Sequence, residues 1–168
     1  MADLLVTYDS AHSTKAREEL KELLESIGEK TVFRETGIEG DVIVEVSDAI
    51  TVIEKIREAI KNNPEKFNYL ARFVPITVWT ETKIEKIQEA IKGLLDRIGE
   101  EEKWKMSLEK RGWNEMHSRD LIIKLTDVVD RKNVDLVNPD KIIQVEILGE
   151  KTGVSILSPQ QLFDARKQ

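Results

Sequence analysis

The sequence predicts an α+β protein in two halves. Three observations carry that reading. Four segments repeat apolar residues at helical spacing, and strand-length apolar runs lie between them. Strand and helix signals interleave along the whole chain. Glycine, proline and asparagine punctuate them at short intervals.

In the first half, Leu4–Tyr8 reads as a short apolar strand. Ser13 or Thr14 is placed to cap a helix whose stripe is Leu20, Leu23, Leu24 and Ile27, and Gly28 ends it. Thr31–Thr36 and Asp41–Val46 form a hairpin across Gly37-Ile38-Glu39-Gly40. That turn imitates a phosphate-clamping G-x-x-G loop, but it joins two strands and carries Glu39, so a plain hairpin is the reading. Ser47 is the expected cap of a second helix with Ile53, Ile56 and Ile60 inward, stopped at Asn62-Asn63-Pro64. Tyr69–Trp79 is one long extended segment, where Pro75 marks an edge or a bulge because it cannot donate to a ladder. The order βαββαβ is the ferredoxin-like split βαβ arrangement, assigned to residues 1–81.

The second half, 82–168, opens with a capping box, Thr82-Lys83-Ile84-Glu85. Ile84, Ile87, Ile91, Leu94, Leu95 and Ile98 follow at helical spacing, and Gly99 ends the helix. Trp104, Met106 and Leu108 alternate with Lys105, Ser107 and Glu109, giving a strand with one buried face. Ser118 is expected to cap a helix carrying Leu121, Ile122, Leu125 and Val128. Ile142–Leu148 and Val154–Leu157 pair across Gly149–Gly153, and residues 158–168 form a weakly ordered tail or a short terminal helix. No linker rich in Pro, Gly or Ser separates the halves, so they are expected to pack closely with a joint near Thr80–Thr82.

Composition excludes much chemistry. The chain has 168 residues, 40% of them hydrophobic, enough to bury a core. With no cysteine there is no disulfide, thiol nucleophile, Cys-ligated zinc or iron–sulfur cluster. His12 and His117 have no partner ligand at i+3 or i+4 and read as surface-loop residues. Glu100-Glu101-Glu102 reads as a solvated helix end, because consecutive helical residues do not face one point. The eight glycines never fall two apart, so no dinucleotide fingerprint exists, and neither a P-loop nor a G-x-S-x-G elbow is present. No catalytic residue, metal or cofactor is expected. No apolar run approaches the ~18 residues of a membrane span, and MADLLVTYDS lacks the basic flank of a signal peptide. A cytoplasmic protein with no membrane partner is the expectation.

Charge singles out one stretch. The formal net charge is −6, yet residues 103–124 carry six basic side chains against three acidic, while residues 1–102 carry 14 against 22. If Trp104, Met106 and Leu108 face inward, Lys105 faces out and Lys110 and Arg111 end the strand at one edge. The loop Gly112–His117 then leads to a helix whose N-terminal N–H groups suit a phosphate, with Arg111 and Arg119 flanking it. Trp113 stands in that polar loop, where it either stacks on an unpaired base or packs beneath the loop. Arg72 is either a packed ion-pair partner or an outward phosphate ligand, and Lys141 follows the turn Asn138-Pro139-Asp140.

Four stretches in order resemble a THUMP-domain protein. They are Arg72-Phe73-Val74-Pro75-Ile76, Trp104-Lys105-Met106-Ser107-Leu108-Glu109-Lys110-Arg111, Ser118-Arg119-Asp120-Leu121-Ile122, and Val134-Asp135-Leu136-Val137-Asn138-Pro139-Asp140-Lys141 running into Ile142–Ile147. Together they span about residues 70–157, and the last is the most specific. The resemblance implies a ferredoxin-like domain packed on a THUMP α/β domain. It implies binding of tRNA at the acceptor stem and 3′ CCA end. The basic face implied by motif position is Lys105, Lys110, Arg111 and Arg119, with Lys141 and Arg72 beside it. The pyrophosphatase and methyltransferase loops of fused relatives are missing. The stand-alone branch is therefore implied, similar to the adaptor that presents tRNA to an acetyltransferase making acetylated cytidine. The rival expectations are a subunit of a split RNA-modifying enzyme and a protein-interaction module without RNA binding.

Overall fold

The computed structural model describes residues 1–167. In chain order the elements are β1 (Ala2–Tyr8), α1 (Ser13–Ser26), β2 (Phe33–Glu35), β3 (Asp41–Val46), α2 (Ala49–Asn62), β4 (Leu70–Ile76), β5 (Val78–Glu81), α3 (Ile84–Lys92), β6 (Trp104–Arg111), α4 (Ser118–Thr126), β7 (Lys141–Leu148), β8 (Lys151–Leu157) and β9 (Phe163–Asp164). They form two compact units, 1–75 with 161–167, and 76–160.

The first unit has a sheet in the order β2-β3-β1-β4-β9. Its first four strands have the ferredoxin-like arrangement. β1 lies antiparallel to β3, with Leu4 opposite Val44 and Val6 opposite Val42, so alternate residues of both strands share one face. That face is sealed by Leu20, Leu23 and Leu24 of α1 and Val52, Ile53, Ile56 and Ile60 of α2. The expected hairpin forms, and Gly37 and Gly40 adopt the left-handed φ its turn requires. Two expected caps move. Asp9, not Ser13 or Thr14, closes the start: its carboxylate accepts the Ala11 N–H of a short 3-10 turn that runs straight into α1. Asp48 caps α2, because Ser47 is engaged by Glu29 through both its N–H and its hydroxyl.

The chain end is not a loose tail. After a 3-10 turn at Pro159–Gln161, β9 adds to β4, with Asp164 opposite Arg72 and Phe163 opposite Phe73. The apolar Phe163 supplies the reason, since it joins the first core.

The second unit has a sheet in the order β5-β8-β7-β6, with β6 parallel to β7 and the other pairs antiparallel. Ile87 and Ile91 of α3 and Leu121 and Leu125 of α4 pack on Ile143, Val145, Ile147 and Val154 of one sheet face. The expected single strand Tyr69–Trp79 is two strands in two sheets. It divides at Thr77, whose N–H donates to the Ser155 hydroxyl (2.9 Å). The units therefore differ from the 1–81 and 82–168 division in two places: β5 pairs in the second sheet, and β9 returns to the first. The capping box does not form. The Thr82 hydroxyl bonds the Thr152 hydroxyl at 2.8 Å, and Lys83 occupies the cap position without a side-chain bond. α3 ends at Gly93, well before Gly99, and a 3-10 turn at Leu95–Arg97 completes the apolar run.

Candidate nucleic-acid interface

β6 is the margin strand of the second sheet, and strand alternation decides where its cations point. Trp104, Met106, Leu108 and Lys110 share register with Lys141, Ile143, Val145 and Ile147, on the helix-covered face. Lys105, Ser107, Glu109 and Arg111 share register with Ile142, Gln144, Glu146 and Leu148, on the opposite face. The neighbouring cations Lys110 and Arg111 thus lie on opposite faces of the sheet, not together at one edge.

Arg111 has an internal task. Its guanidinium meets Glu146 at 3.1 Å, and Glu146 is 0% exposed. The other Glu146 oxygen accepts the Gln144 amide at 2.6 Å. An uncompensated buried carboxylate costs several kcal/mol, so Arg111 is first of all the counter-ion of Glu146. Lys110 turns the other way. Its ammonium donates to the Met116 carbonyl (2.7 Å) and lies 5.8 Å from the Trp113 ring centroid, within cation–π range. Trp113 is partly buried and packs against the second core. Gly112 takes a left-handed φ of 70°, and the Gly149 N–H donates to the Arg111 carbonyl, so the loop is tied to the β7–β8 turn.

His117 is the cap residue of α4, without a side-chain bond, and Ser118 is the first helical residue rather than the cap. Arg119 follows in the first turn and is exposed. Lys105 is partly exposed. Lys141 stands opposite Trp104, at the far end of β6 from Arg111, about 23 Å along the strand at ~3.3 Å per residue. Its ammonium is held by Glu102 (2.8 and 3.0 Å) and the Arg97 carbonyl (3.1 Å). That contact, followed by the Gly99 N–H, holds the Glu102 carboxyl below its ordinary range. Arg72 lies in β4 of the first unit, where its N–H donates to the Thr7 hydroxyl. The structure thus brings Lys110 and Trp113 together in the loop before α4, and Arg119 lies in the first turn of that helix. Arg111 shares their loop but not their face.

The most specific sequence stretch, Val134–Lys141, is built as a rigid loop beside the start of β6. Asp135 accepts the N–H groups of Asn138 (2.9 Å) and Val137 (3.0 Å), which lowers its carboxyl pKa. Its own N–H donates to the Trp104 carbonyl, and Asp140 accepts the Lys103 N–H. Sequence reasoning missed Trp79 of β5, whose ring lies 5.6 Å from the Lys151 ammonium. Its only signal was an aromatic residue at the end of an extended run. Among the described residues, no group of three or more His, Asp or Glu is placed to hold a metal ion. No described helix is long and apolar enough to cross a membrane.

Residues 81–157 match the model of the THUMP domain. The uncharacterized protein MJ0421 of Methanocaldococcus jannaschii is 34% identical over 148 residues, which cover 86% of this chain and 37% of that protein. Among solved structures, PH1313 from Pyrococcus horikoshii has a TM-score of 0.68 at 16% identity, covering 98% of this chain and 55% of that one. TrmN from Thermus thermophilus has a TM-score of 0.59 at 16% identity, with coverages of 95% and 47%. A 4-thiouridine synthetase in an RNA complex with bound ATP has a TM-score of 0.53 at 14% identity, with coverages of 98% and 42%. The structural likenesses establish a shared α+β fold. The chain spans little more than a third of the curated relative and about half of PH1313.

Proposed function

We infer that this protein binds RNA in the service of tRNA modification, proceeding from the match of residues 81–157 to the THUMP domain, the observation that carries the reading. The fold shared over 98% of the chain with a synthetase solved in complex with RNA supports it. The finer proposal is a non-catalytic protein that recognises the acceptor stem and 3′ CCA end. It presents tRNA to a separate modification enzyme, a cytidine acetyltransferase. The absence of a nucleotide-binding glycine loop or nucleophile elbow from the sequence supports the non-catalytic part.

The contacts proposed here come from Lys110 and Arg119, with the first N–H groups of α4 adding a partial positive charge, and from Lys105 on the other face of the margin strand β6. Arg111 contributes by fixing β6 through Glu146 and by whatever charge that pair leaves uncompensated. Trp113 stiffens the loop. Phosphate contacts of this kind release counter-ions, so affinity falls steeply with salt, while selectivity rests on stem shape and unstacked end bases.

The test is tRNA binding, with and without the 3′ CCA nucleotides, at two salt concentrations. Tighter binding of the complete tRNA and a steep salt slope are expected. Equal affinities would remove end recognition, and no binding of either would remove the reading. A modified nucleoside found by mass spectrometry after incubation with tRNA and donors alone would make the protein an enzyme. Because relatives extend well beyond this chain, membership in a split RNA-modifying enzyme is the second reading.

A further inference from the structure

We propose that the outer side of β5 carries a second nucleotide seat, in which the Trp79 indole stacks on an unpaired base while Lys86 and Lys151 hold the adjoining phosphates. The proposal rests on the RNA-binding reading above and gives it a site far from the stretch that the sequence marked.

The seat is a cleft of about 410 Å³ lined by Trp79, Thr80, Glu81, Lys86, Glu150 and Lys151. β5 is the margin strand opposite β6, and Trp79 pairs in register with Gly153 of β8. Gly153 is what seats the ring. A Cβ there would stand 2.9 Å from Ile76 Cδ1 and Cγ2, a distance that real Cβ atoms essentially never show, and 3.0 Å from Trp79 Cζ3, tighter than nearly all real Cβ contacts. Glycine therefore lets the indole lie down on the backbone of β8, fixed in place before any ligand arrives. A plate fixed in advance loses less entropy on binding than a mobile side chain. The indole stays partly exposed, and both lysines are exposed.

The charges fit the same ligand. Glu81 is occupied by Lys83 at 3.2 Å. The lining balances Lys86 and Lys151 against Glu81 and Glu150, and Lys83 takes up Glu81, so the two lining lysines face one remaining carboxylate. The Lys151 ammonium lies 5.6 Å from the indole centroid, within cation–π range, so a cation already stands beside the plate. A single-stranded nucleic acid uses every part of the cleft, since each base offers a π-face and each linkage an anion. A simple anion would leave the aromatic plate idle.

The experiment measures fluorescence anisotropy of labelled tRNA, and of a labelled single-stranded oligonucleotide ending in CCA, titrated with the full chain at low salt. Trp79→Leu is expected to weaken binding about fivefold or more, the scale of one lost stacking contact, and Trp79→Phe to recover most of it. Lys86→Glu combined with Lys151→Glu, at exposed positions that should leave the fold intact, is expected to weaken binding at least as much. Thermal melts establish that each variant is folded. If Trp79→Leu fails to fold, the double charge reversal decides. Parent-like affinity in folded Trp79→Leu or in the double charge reversal overturns the seat while leaving RNA binding standing. An unmodified protein that binds neither RNA overturns the functional reading itself, and the seat with it.

Discussion

At the β6 margin of the second sheet, three of the cations picked out by sequence answer to internal partners: Arg111 to Glu146, Lys110 to the Met116 carbonyl and Lys141 to Glu102. At the β5 margin, which sequence passed over, Lys86 and Lys151 are exposed around a seated indole, and Lys83 occupies one of the two nearby carboxylates. The first margin is richer in basic residues, yet more of its charge is consumed by the fold. A cation counts toward an interface only after its internal partners have been subtracted. Two of the three partners, Glu146 and Glu102, are carboxylates that lie far away in sequence.

The strongest way to break this contrast is at Arg111. Arg111→Met should lower stability by about 3 kcal/mol in urea unfolding, because it removes the guanidinium that stands 3.1 Å from the buried Glu146 carboxylate. Adding Glu146→Leu should restore a large part of that loss, since an apolar pair of similar volume replaces the ion pair. An Arg111→Met protein as stable as the parent would show that the arginine is surplus to the fold and available to a ligand.

Gly153→Val is expected to cost about 1–3 kcal/mol in the same assay, because the new side chain must displace Trp79 and Ile76. An unchanged midpoint would mean that the indole is loosely held, which would weaken the contrast from the β5 side.

Smaller in stability but sharper in function are Lys105→Ala and Arg119→Ala. Each should leave stability within about 0.5 kcal/mol of the parent. Each should lower the slope of log affinity against log salt by about one if it contacts a phosphate. A slope equal to the parent's in both variants would move the interface away from β6 altogether.

The smallest effect is a pH dependence. Lys141 and the Gly99 N–H hold Glu102 below its ordinary range. A folded-state pKa below the unfolded one adds stability that is present above the unfolded value, about 4.3 for Glu, and lost as pH falls through the folded value. Lys141→Ala should therefore melt slightly below the parent at pH 7, with the gap closing as the pH is taken below about 4. A gap that persists at pH 3 would assign the loss to the Arg97 carbonyl contact or to packing instead.

Much of the fold was legible because its signals are local. The stripe Leu20, Leu23, Leu24 and the alternation Trp104, Met106, Leu108 each fit one secondary-structure period, and both strand and helix formed where that period placed them. Caps were misjudged for a physical reason. Ser47 and Thr82 have the chemistry of caps, but Glu29 and Thr152 bind them more directly across the tertiary structure. The tail was misjudged because Phe163, the residue that enters the core there, shows no period by itself.

The interface was less legible than the fold. The same alternation that placed Trp104, Met106 and Leu108 inward already sends Lys110 and Arg111 to opposite faces, so that part was within reach of the sequence. The fate of each charge was not. Arg111 lies 35 residues from Glu146 and Lys141 lies 39 from Glu102, and no local rule joins them.

The sequence by itself determined the periods, the four helices and most of the strands, and the THUMP resemblance of the second unit, because these depend on neighbours a few residues apart. Only the tertiary structure decided which cations are neutralised, which hydroxyls cap, and that Gly153 lies beneath Trp79. Those outcomes follow from short-range forces acting between residues that are distant in sequence, and the fold alone brings such residues within reach of one another.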